Sequence, residues 1–229
     1  MLLGLKNSKP LIIQHSKLDT KKMFPQIKAF VENAINDFDA ISQERKNVLK
    51  KLSQFVQSKV DANEKIALVY ICTHNSRRSH FGQIWAKVAA YHYGFTHIET
   101  YSGGTEATAF NPNAIASIGS TGFQITATGD DKNPHYHVVF DENGAEVLCF
   151  SKRYDDDTNP KTNFAAVMTC TDADGNCPVI LGASLRVSTP YVDPKKADGT
   201  PEQEATYDAR SKQIATECLY VFSLVNKVH

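Results

Sequence analysis

The chain has 229 residues, of which 41% are hydrophobic and 22% charged, and its 25 basic and 25 acidic side chains leave no formal net charge. This composition is that of an ordinary globular protein, and the neutral balance offers no electrostatic footprint for nucleic acid or an anionic membrane surface. The longest wholly apolar run, residues 66–72, falls far short of the ~20 residues that a membrane helix needs. We expect no signal peptide and no membrane association, and hence a cytoplasmic protein of one or two domains whose five cysteines rest as thiols.

Two amphipathic helices are predicted within residues 21–61. Apolar side chains recur at helical spacing from Met23 to Ile35 in the first helix and from Val48 to Val60 in the second. Ser42 is a suitable cap for the start of the second helix. We interpret residues 1–64 as an N-terminal helical appendage that packs on the domain following it.

From residue 65 onward, strands and helices alternate, which is typical of an α/β fold with a parallel sheet. The strand at residues 66–71 is apolar throughout, as a strand buried on both faces is. A helix at 79–93, a strand at 97–102, a helix opened by Asn111-Pro112 and a strand at 164–169 follow. The C-terminal helix is predicted to open with a capping box at Thr200 and Gln203. Residues 65–229 are therefore predicted to form a doubly wound, Rossmann-like (flavodoxin-like) domain.

One segment departs from this alternation. Residues 133–151 have the pattern of a β-hairpin, with a tight turn at Asn143-Gly144 between two short strands. We interpret this hairpin as an insertion that extends the sheet.

The segment between the first strand and the helix that follows it contains the candidate nucleophile and anion-binding residues. The five residues between Cys72 and Arg78 are enough to curl a loop whose backbone N–H groups point inward, a nest for an oxyanion at the positive end of the helix. Arg78 can offer a bidentate fork to two oxygens, and the same donors would stabilise a thiolate, making Cys72 nucleophilic. Asn75 tolerates the left-handed backbone of such a curl, and the Ser79 hydroxyl is placed to reach the cysteine sulfur. A chance Cys and Arg at this separation is the alternative, but the flanking strand and helix favour a functional loop.

This loop resembles that of the low-molecular-weight protein tyrosine phosphatase superfamily, which includes the thioredoxin-coupled arsenate reductases. The Ser102-Gly-Gly-Thr105 turn, Asn111-Pro112 and Asp193-Pro194 resemble further family motifs, and the resemblance covers roughly residues 65–225. It implies that Asn75, Ser79 and Ser102 hold the loop by hydrogen bonds, and that Asp193 lies on the segment carrying the general acid. The oxyanion-binding residues would be Thr73, His74, Asn75, Ser76, Arg77, Arg78, Ser79 and Ser102.

Two further cysteines distinguish the chemistries within this superfamily. Cys72 and Cys170 each follow a strand of a parallel sheet, so both are expected at its carboxyl edge, and the short segment from Cys170 to Cys177 is pliable enough for a disulfide relay. Resemblance to the reductases implies that Cys72 attacks arsenate, Cys170 attacks the adduct to release arsenite, and Cys177 presents the disulfide to thioredoxin. Thioredoxin would be an external reductant, with no bound cofactor and no metal. Alternatively, Cys170 at the end of a buried strand is a plain core residue, and Cys177, which precedes a proline, is incidental.

Two other functions stay open at this point. Phosphomonoester hydrolysis would use Cys72 and Arg78, with Asp193 protonating the leaving group. The phosphatases usually have aromatic side chains after Asp-Pro, whereas Lys195-Lys196 follow here, which favours a small inorganic oxyanion. A non-catalytic phosphate binder is the third possibility, and the intact cysteine, arginine and serine of the loop count against it.

Two positions depart from the pattern of the reductases, and two cysteines are assigned to the core. Arg77 stands where the reductases commonly have another cysteine, and Gln83 stands where the potassium-binding reductases have glutamate, so the sequence leaves open whether a potassium site exists. Cys149 and Cys218 are predicted to be core residues.

Overall fold

The computed structural model describes residues 22–95, 97–129, 131–176 and 179–227. Six helices and seven strands follow one another within these ranges, with short 3-10 helices at Phe38–Ala40 and Pro194–Ala197. In chain order they are α1 (Pro25–Asn36), α2 (Gln43–Asp61), β1 (Ile66–Cys72), α3 (Arg78–Tyr93), β2 (Ile98–Gly104), α4 (Pro112–Ser120), β3 (Gln124–Thr128), β4 (His135–Val139), β5 (Glu146–Cys149), β6 (Phe164–Met168), α5 (Thr171–Asn176), β7 (Ala183–Ser188) and α6 (Gln203–Ser223).

The central sheet has four parallel strands in the order β2-β1-β6-β7. Strand β1 is buried at every position, and its side chains alternate between two cores. Leu68 and Tyr70 face a large core shared with α3 and α6, while Val69 and Ile71 face a smaller core that includes Ala173 of α5. Helices therefore cover both faces of the sheet, which confirms the doubly wound α/β fold.

The strand order places a topological switch point between β1 and β6. The chain moves from β1 to β2 on one side and then crosses to β6 on the other side. Loops leaving the two strands at such a point diverge and open a crevice at the carboxyl edge of the sheet, where ligands bind in folds of this type. Cys72 ends β1, and Cys170 comes two residues after β6, so both cysteines lie at this crevice.

Helices α1 and α2 are confirmed and pack on the large core. Ser42 caps α2 as predicted, since its hydroxyl accepts a hydrogen bond from Arg45 N at 3.2 Å. Ile27 and Val31 of α1 are fully buried, and the Ser53 hydroxyl of α2 donates to the carbonyl of Val221 in α6 at 2.9 Å. The two helices and the sheet thus share one hydrophobic core.

The predicted hairpin forms, but it does not extend the parallel sheet. Strands β4 and β5 pair antiparallel and, together with β3, make a separate three-stranded sheet. Strand β3 was not predicted because four of its five side chains are exposed and only Ile125 is partly buried. A strand with one apolar side chain has no alternation that a sequence pattern can detect.

The predicted capping box is wrong. Helix α6 begins at Gln203, and the Thr200 hydroxyl donates to the carbonyl of Ala197 at 2.8 Å instead of capping the helix. The Gln203 side chain accepts from Gly199 N at 2.8 Å, so both side chains close the turn that precedes the helix. Strand β7, also not predicted, completes the edge of the parallel sheet. Within the described ranges, no helix combines the length and the apolarity that crossing a membrane requires.

Candidate active site

The loop from Cys72 to Ser79 is curled with its carbonyl groups turned outward. Hydrogen bonds from outside the loop reach four of these carbonyls: Cys72 O from Thr105 N (3.2 Å), Thr73 O from Glu106 N (2.8 Å), His74 O from Ser151 Oγ (3.1 Å) and Ser76 O from Asn111 N (2.9 Å). Within the described part of the chain, the backbone N–H groups of residues 73–78 donate to no acceptor. Because these donors are left to the inside of the curl at the N-terminus of α3, the loop is built to bind an anion.

Close packing against the end of β2 fixes this curl. A Cβ atom at Gly104 would lie 2.7 Å from Thr73 O and 2.8 Å from Asn75 N, so a side chain larger than hydrogen would displace the loop. The second glycine of the Ser102-Gly-Gly-Thr105 turn is therefore required because a side chain there would collide with the loop.

Asn75 and Ser79 support the nucleophile from inside the protein. Asn75 is fully buried in the left-handed conformation predicted for it, with φ of +45°, and its Nδ2 donates to Ser79 Oγ at 2.8 Å. Ser79 Oγ lies 3.1 Å from Cys72 Sγ. Since the Ser79 oxygen accepts from Asn75, its own hydrogen is available for the sulfur, a contact that stabilises a thiolate.

Ser102 lies one step further from the nucleophile than the other two residues. Its hydroxyl is 3.2 Å from Nδ1 of His80, which follows Ser79 in α3. His80 is fully buried with its ring 4.1 Å from that of Phe110, and burial lowers the pKa of His80 to about 3, so the imidazole is neutral near pH 7. Sequence reasoning missed this histidine because a buried position on a helix carries no chemical signature.

Arg78 and Asp193 meet across the mouth of the loop. Arg78 Nη2 donates to Asp193 Oδ2 at 2.6 Å, and its Nη1 donates to the carbonyl of Tyr191 at 2.9 Å. The other Asp193 oxygen accepts from Lys195 N at 3.1 Å, which fixes the carboxylate at the start of the 3-10 helix Pro194–Ala197. The structure thus brings together two predicted site residues that are far apart in the chain. Arg78 Nε is buried and finds no acceptor among the described residues.

Three side chains of the loop point away from its centre. Arg77 Nε donates to the hydroxyl of Tyr207 at 2.7 Å, Ser76 Oγ donates to Ala109 O at 2.7 Å, and His74 is half-exposed beside Glu106. These residues can contribute only backbone N–H groups to an anion in the loop.

Cys170 lies against the residue that follows the nucleophile. Its Sγ is 3.4 Å from Thr73 Oγ1 and accepts from Ala173 N at 3.4 Å, and its side chain is buried. Asp174, the residue after Ala173 in α5, accepts a hydrogen bond at its Oδ1 from Arg186 Nη2 of β7 at 2.5 Å. Cys177 lies outside the described residues.

Cys149 and Cys218 are buried in the core, as predicted, and burial raises the pKa of each thiol to about 12. Both therefore rest protonated. Across the described ranges, no group of three or more His, Cys, Asp or Glu side chains is placed to hold a metal ion.

Comparison with protein-family models gives no match. Among known relatives, the arsenate reductase of Bacillus subtilis (strain 168) is 27% identical over 167 residues, which are 72% of this chain and 99% of that protein. Arsenate reductase 2 of Staphylococcus epidermidis (strain ATCC 35984) is 30% identical over 131 residues, 57% of this chain and 80% of that protein. The arsenate reductase of Shouchella clausii (strain KSM-K16) is 29% identical over 139 residues, 61% of this chain and 81% of that protein.

Two of the solved structures that align with this chain are a phosphatase and a reductase. A low molecular weight protein tyrosine phosphatase from T. tengcongensis aligns with a TM-score of 0.47 at 13% identity, covering 69% of this chain and 98% of that chain. An arsenate reductase from Archaeoglobus fulgidus DSM 4304 aligns with a TM-score of 0.42 at 13% identity, covering 68% of this chain and 98% of that chain.

Proposed function

The chain belongs to the arsenate reductase family of the low-molecular-weight protein tyrosine phosphatase superfamily, and from this premise we propose that it reduces arsenate with Cys72 as the nucleophile. The observation that carries the proposal is the placement of a second buried thiol, Cys170, against Thr73 at the same edge of the sheet. A phosphatase of this superfamily has no use for that thiol, whereas a reductase needs it to form a disulfide with the nucleophilic cysteine.

The first step forms a bond between Cys72 Sγ and arsenic. The thiolate attacks arsenate held by the loop N–H groups and Arg78, an As–O bond breaks, and the oxygen leaves as water after taking up protons. Asp193 is the candidate proton donor because the resemblance puts it on the segment that carries the general acid, and its carboxyl group lies beside Arg78 at the loop. Inward-facing N–H dipoles stabilise the negative charge throughout this step.

The second step transfers the electrons. Cys170 attacks Cys72 Sγ, so that an S–S bond forms and the electron pair of the As–S bond stays on arsenic, which leaves as arsenite. Two thiols are oxidised to a disulfide, and As(V) is reduced to As(III). In the third step Cys177 attacks Cys170, which frees Cys72 and leaves a disulfide between Cys170 and Cys177.

Return to the starting state requires an external dithiol, and we assign this role to thioredoxin. The proposal needs no bound cofactor, and it places the enzyme in the cytoplasm, where thiols are kept reduced.

The test is arsenate-dependent NADPH oxidation by the purified full chain with thioredoxin and thioredoxin reductase. We expect turnover that is lost in Cys170→Ser and Cys177→Ser and retained in the matched control Cys149→Ser, which removes a core thiol. Absence of arsenate turnover together with intact hydrolysis of para-nitrophenyl phosphate would overturn the proposal.

Hydrolysis of phosphate monoesters is the second candidate, and the contact between Asp193 and Arg78 favours it. Two observations weigh against a phosphotyrosine substrate. Lys195 and Lys196, which follow the Asp-Pro pair, are exposed and not aromatic. Tyr191, the aromatic residue just before the pair, is buried and directs its hydroxyl to Glu217, away from the mouth of the loop.

A further inference from the structure

The segment Pro190–Asp193 is held from behind by a residue of helix α2. Arg45 Nη2 donates to the carbonyl of Pro190 at 2.6 Å, and the guanidinium carbon lies over the ring of Tyr191, 5.2 Å from its centroid. Arg45 Nε is also 3.7 Å from the Glu217 carboxylate of α6. One side chain of α2 therefore contacts two consecutive residues of the segment and the acidic group behind them.

Tyr191 connects this contact to the active site. Its hydroxyl donates to Glu217 Oε2 at 2.7 Å, while its carbonyl accepts from Arg78 Nη1 at 2.9 Å. Two residues later, Asp193 accepts from Arg78 Nη2. Both acceptors that orient the loop guanidinium thus belong to the segment that Arg45 holds.

The electrostatics of Glu217 strengthen the link. Burial raises the pKa of Glu217, and the guanidinium of Arg45 is the largest influence in the opposite direction, ahead of the hydrogen bonds from Tyr191 and Gln213. Arg45 therefore favours the charged form of this buried carboxyl group, which accepts the hydrogen bond of the Tyr191 hydroxyl.

We propose that Arg45 is a positioning residue of the oxyanion site, which fixes Pro190 and Tyr191 so that the Tyr191 carbonyl and Asp193 hold Arg78 in its binding orientation. This inference rests on the proposed function where the measured quantity is the turnover of arsenate. A flexible guanidinium must be ordered when the oxyanion binds, whereas one held by two fixed acceptors is already ordered, and binding is tighter for that reason. The helical appendage, which lies outside the family resemblance, then takes part in substrate binding.

The experiment compares Arg45→Ala and Arg45→Lys in the full chain with the matched control Lys46→Ala. Lys46 is the next residue of α2, and its ammonium lies over the ring of Tyr220 in α6, 5.8 Å from the centroid, so its described side-chain contact is with α6 and not with the segment. We expect the KM for arsenate and the inhibition constant of inorganic phosphate to rise by about three- to tenfold in Arg45→Ala, the range that corresponds to one lost hydrogen bond. Arg45→Lys should lie in between, because a point charge replaces the fork, and Lys46→Ala should match the wild type.

The division between KM and kcat separates positioning from simple stabilisation of the fold. If Arg45 only stabilises the protein, the active fraction and the apparent kcat fall together while KM and phosphate inhibition stay at wild-type values, and the proposal is overturned. If Arg45→Ala does not fold, the same result in Arg45→Lys overturns it.

Equilibrium dialysis with inorganic phosphate needs no turnover and distinguishes the two proposals. Weaker phosphate binding in Arg45→Ala, with no arsenate reduction by the wild type, would overturn the proposed function and leave the role of Arg45 standing. Arsenate reduction by the wild type, with equal phosphate affinity in the wild type and Arg45→Ala, would overturn the role of Arg45 and leave the proposed function standing.

Discussion

Replacement of Asn75 by alanine tests how the oxyanion loop is held. The Asn75 amide joins Ser79 Oγ to the backbone N–H of Lys152, both at 2.8 Å, in a fully buried position. Alanine leaves the Lys152 N–H without an acceptor, at about 1–3 kcal/mol, and removes the bond to Ser79, at about 1 kcal/mol. It also holds the left-handed backbone less well than asparagine, at about 1 kcal/mol. We expect a total loss of about 3–5 kcal/mol in the free energy of unfolding.

The measurement is urea unfolding of the wild type and three variants at 25 °C. Asn63→Ala is the matched control, because Asn63 is exposed and also left-handed, with φ of +52°, so it reports the backbone cost alone. Asn75→Gly removes the same hydrogen bonds without that cost and should recover about 1 kcal/mol relative to Asn75→Ala. If Asn75→Ala loses no more stability than Asn63→Ala, the side chain does not hold the loop and the reasoning is refuted.

Three further predictions concern charge and reactivity. Asp193→Asn should lower the hydrolysis of para-nitrophenyl phosphate by at least about tenfold, measured as kcat, and an unchanged kcat would exclude this residue as the proton donor. Because burial lowers the pKa of His80 to about 3, the unfolded chain binds more protons than the folded one below the ordinary histidine pKa. Stability should therefore fall by about 1.4 kcal/mol per pH unit on acidification from about pH 6.5 toward 3, and unfolding measurements should find a smaller slope in His80→Gln. Iodoacetamide labelling followed by mass spectrometry should modify Cys72 and spare Cys149 and Cys218, whose pKa values near 12 keep them protonated; labelling of either core cysteine in the folded protein would contradict this.

Much of the site could be predicted because its chemistry is local in sequence. The spacing from Cys72 to Arg78 between an apolar strand and a helix is sufficient to indicate a curled loop, and the left-handed Asn75 follows from the same curl. Strand β1 is recognisable because a strand buried on both faces must be apolar at every position.

What could not be predicted depends on contacts between distant residues. Strand β3 has one partly buried side chain, and its separate sheet with the hairpin is defined by pairing that no local pattern encodes. Arg45 is 145 residues away from the carbonyl of Pro190 that it contacts, and nothing in its helical environment distinguishes it from the other charged residues of α2. The predicted capping box was wrong because a polar side chain can hydrogen-bond to the backbone of a turn as readily as to the end of a helix.

The pairing of Arg78 with Asp193 has a consequence for the end of the reaction. The carboxylate and the Tyr191 carbonyl accept from Nη2 and Nη1 of the guanidinium, whereas the buried Nε has no acceptor among the described residues and is left for an oxyanion. Arsenate carries negative charge and is attracted to this held guanidinium, whereas arsenous acid is uncharged at neutral pH and is not. In the proposed reaction, the loss of charge that accompanies reduction therefore weakens the binding of the product, while Asp193 keeps the arginine in place for the next arsenate.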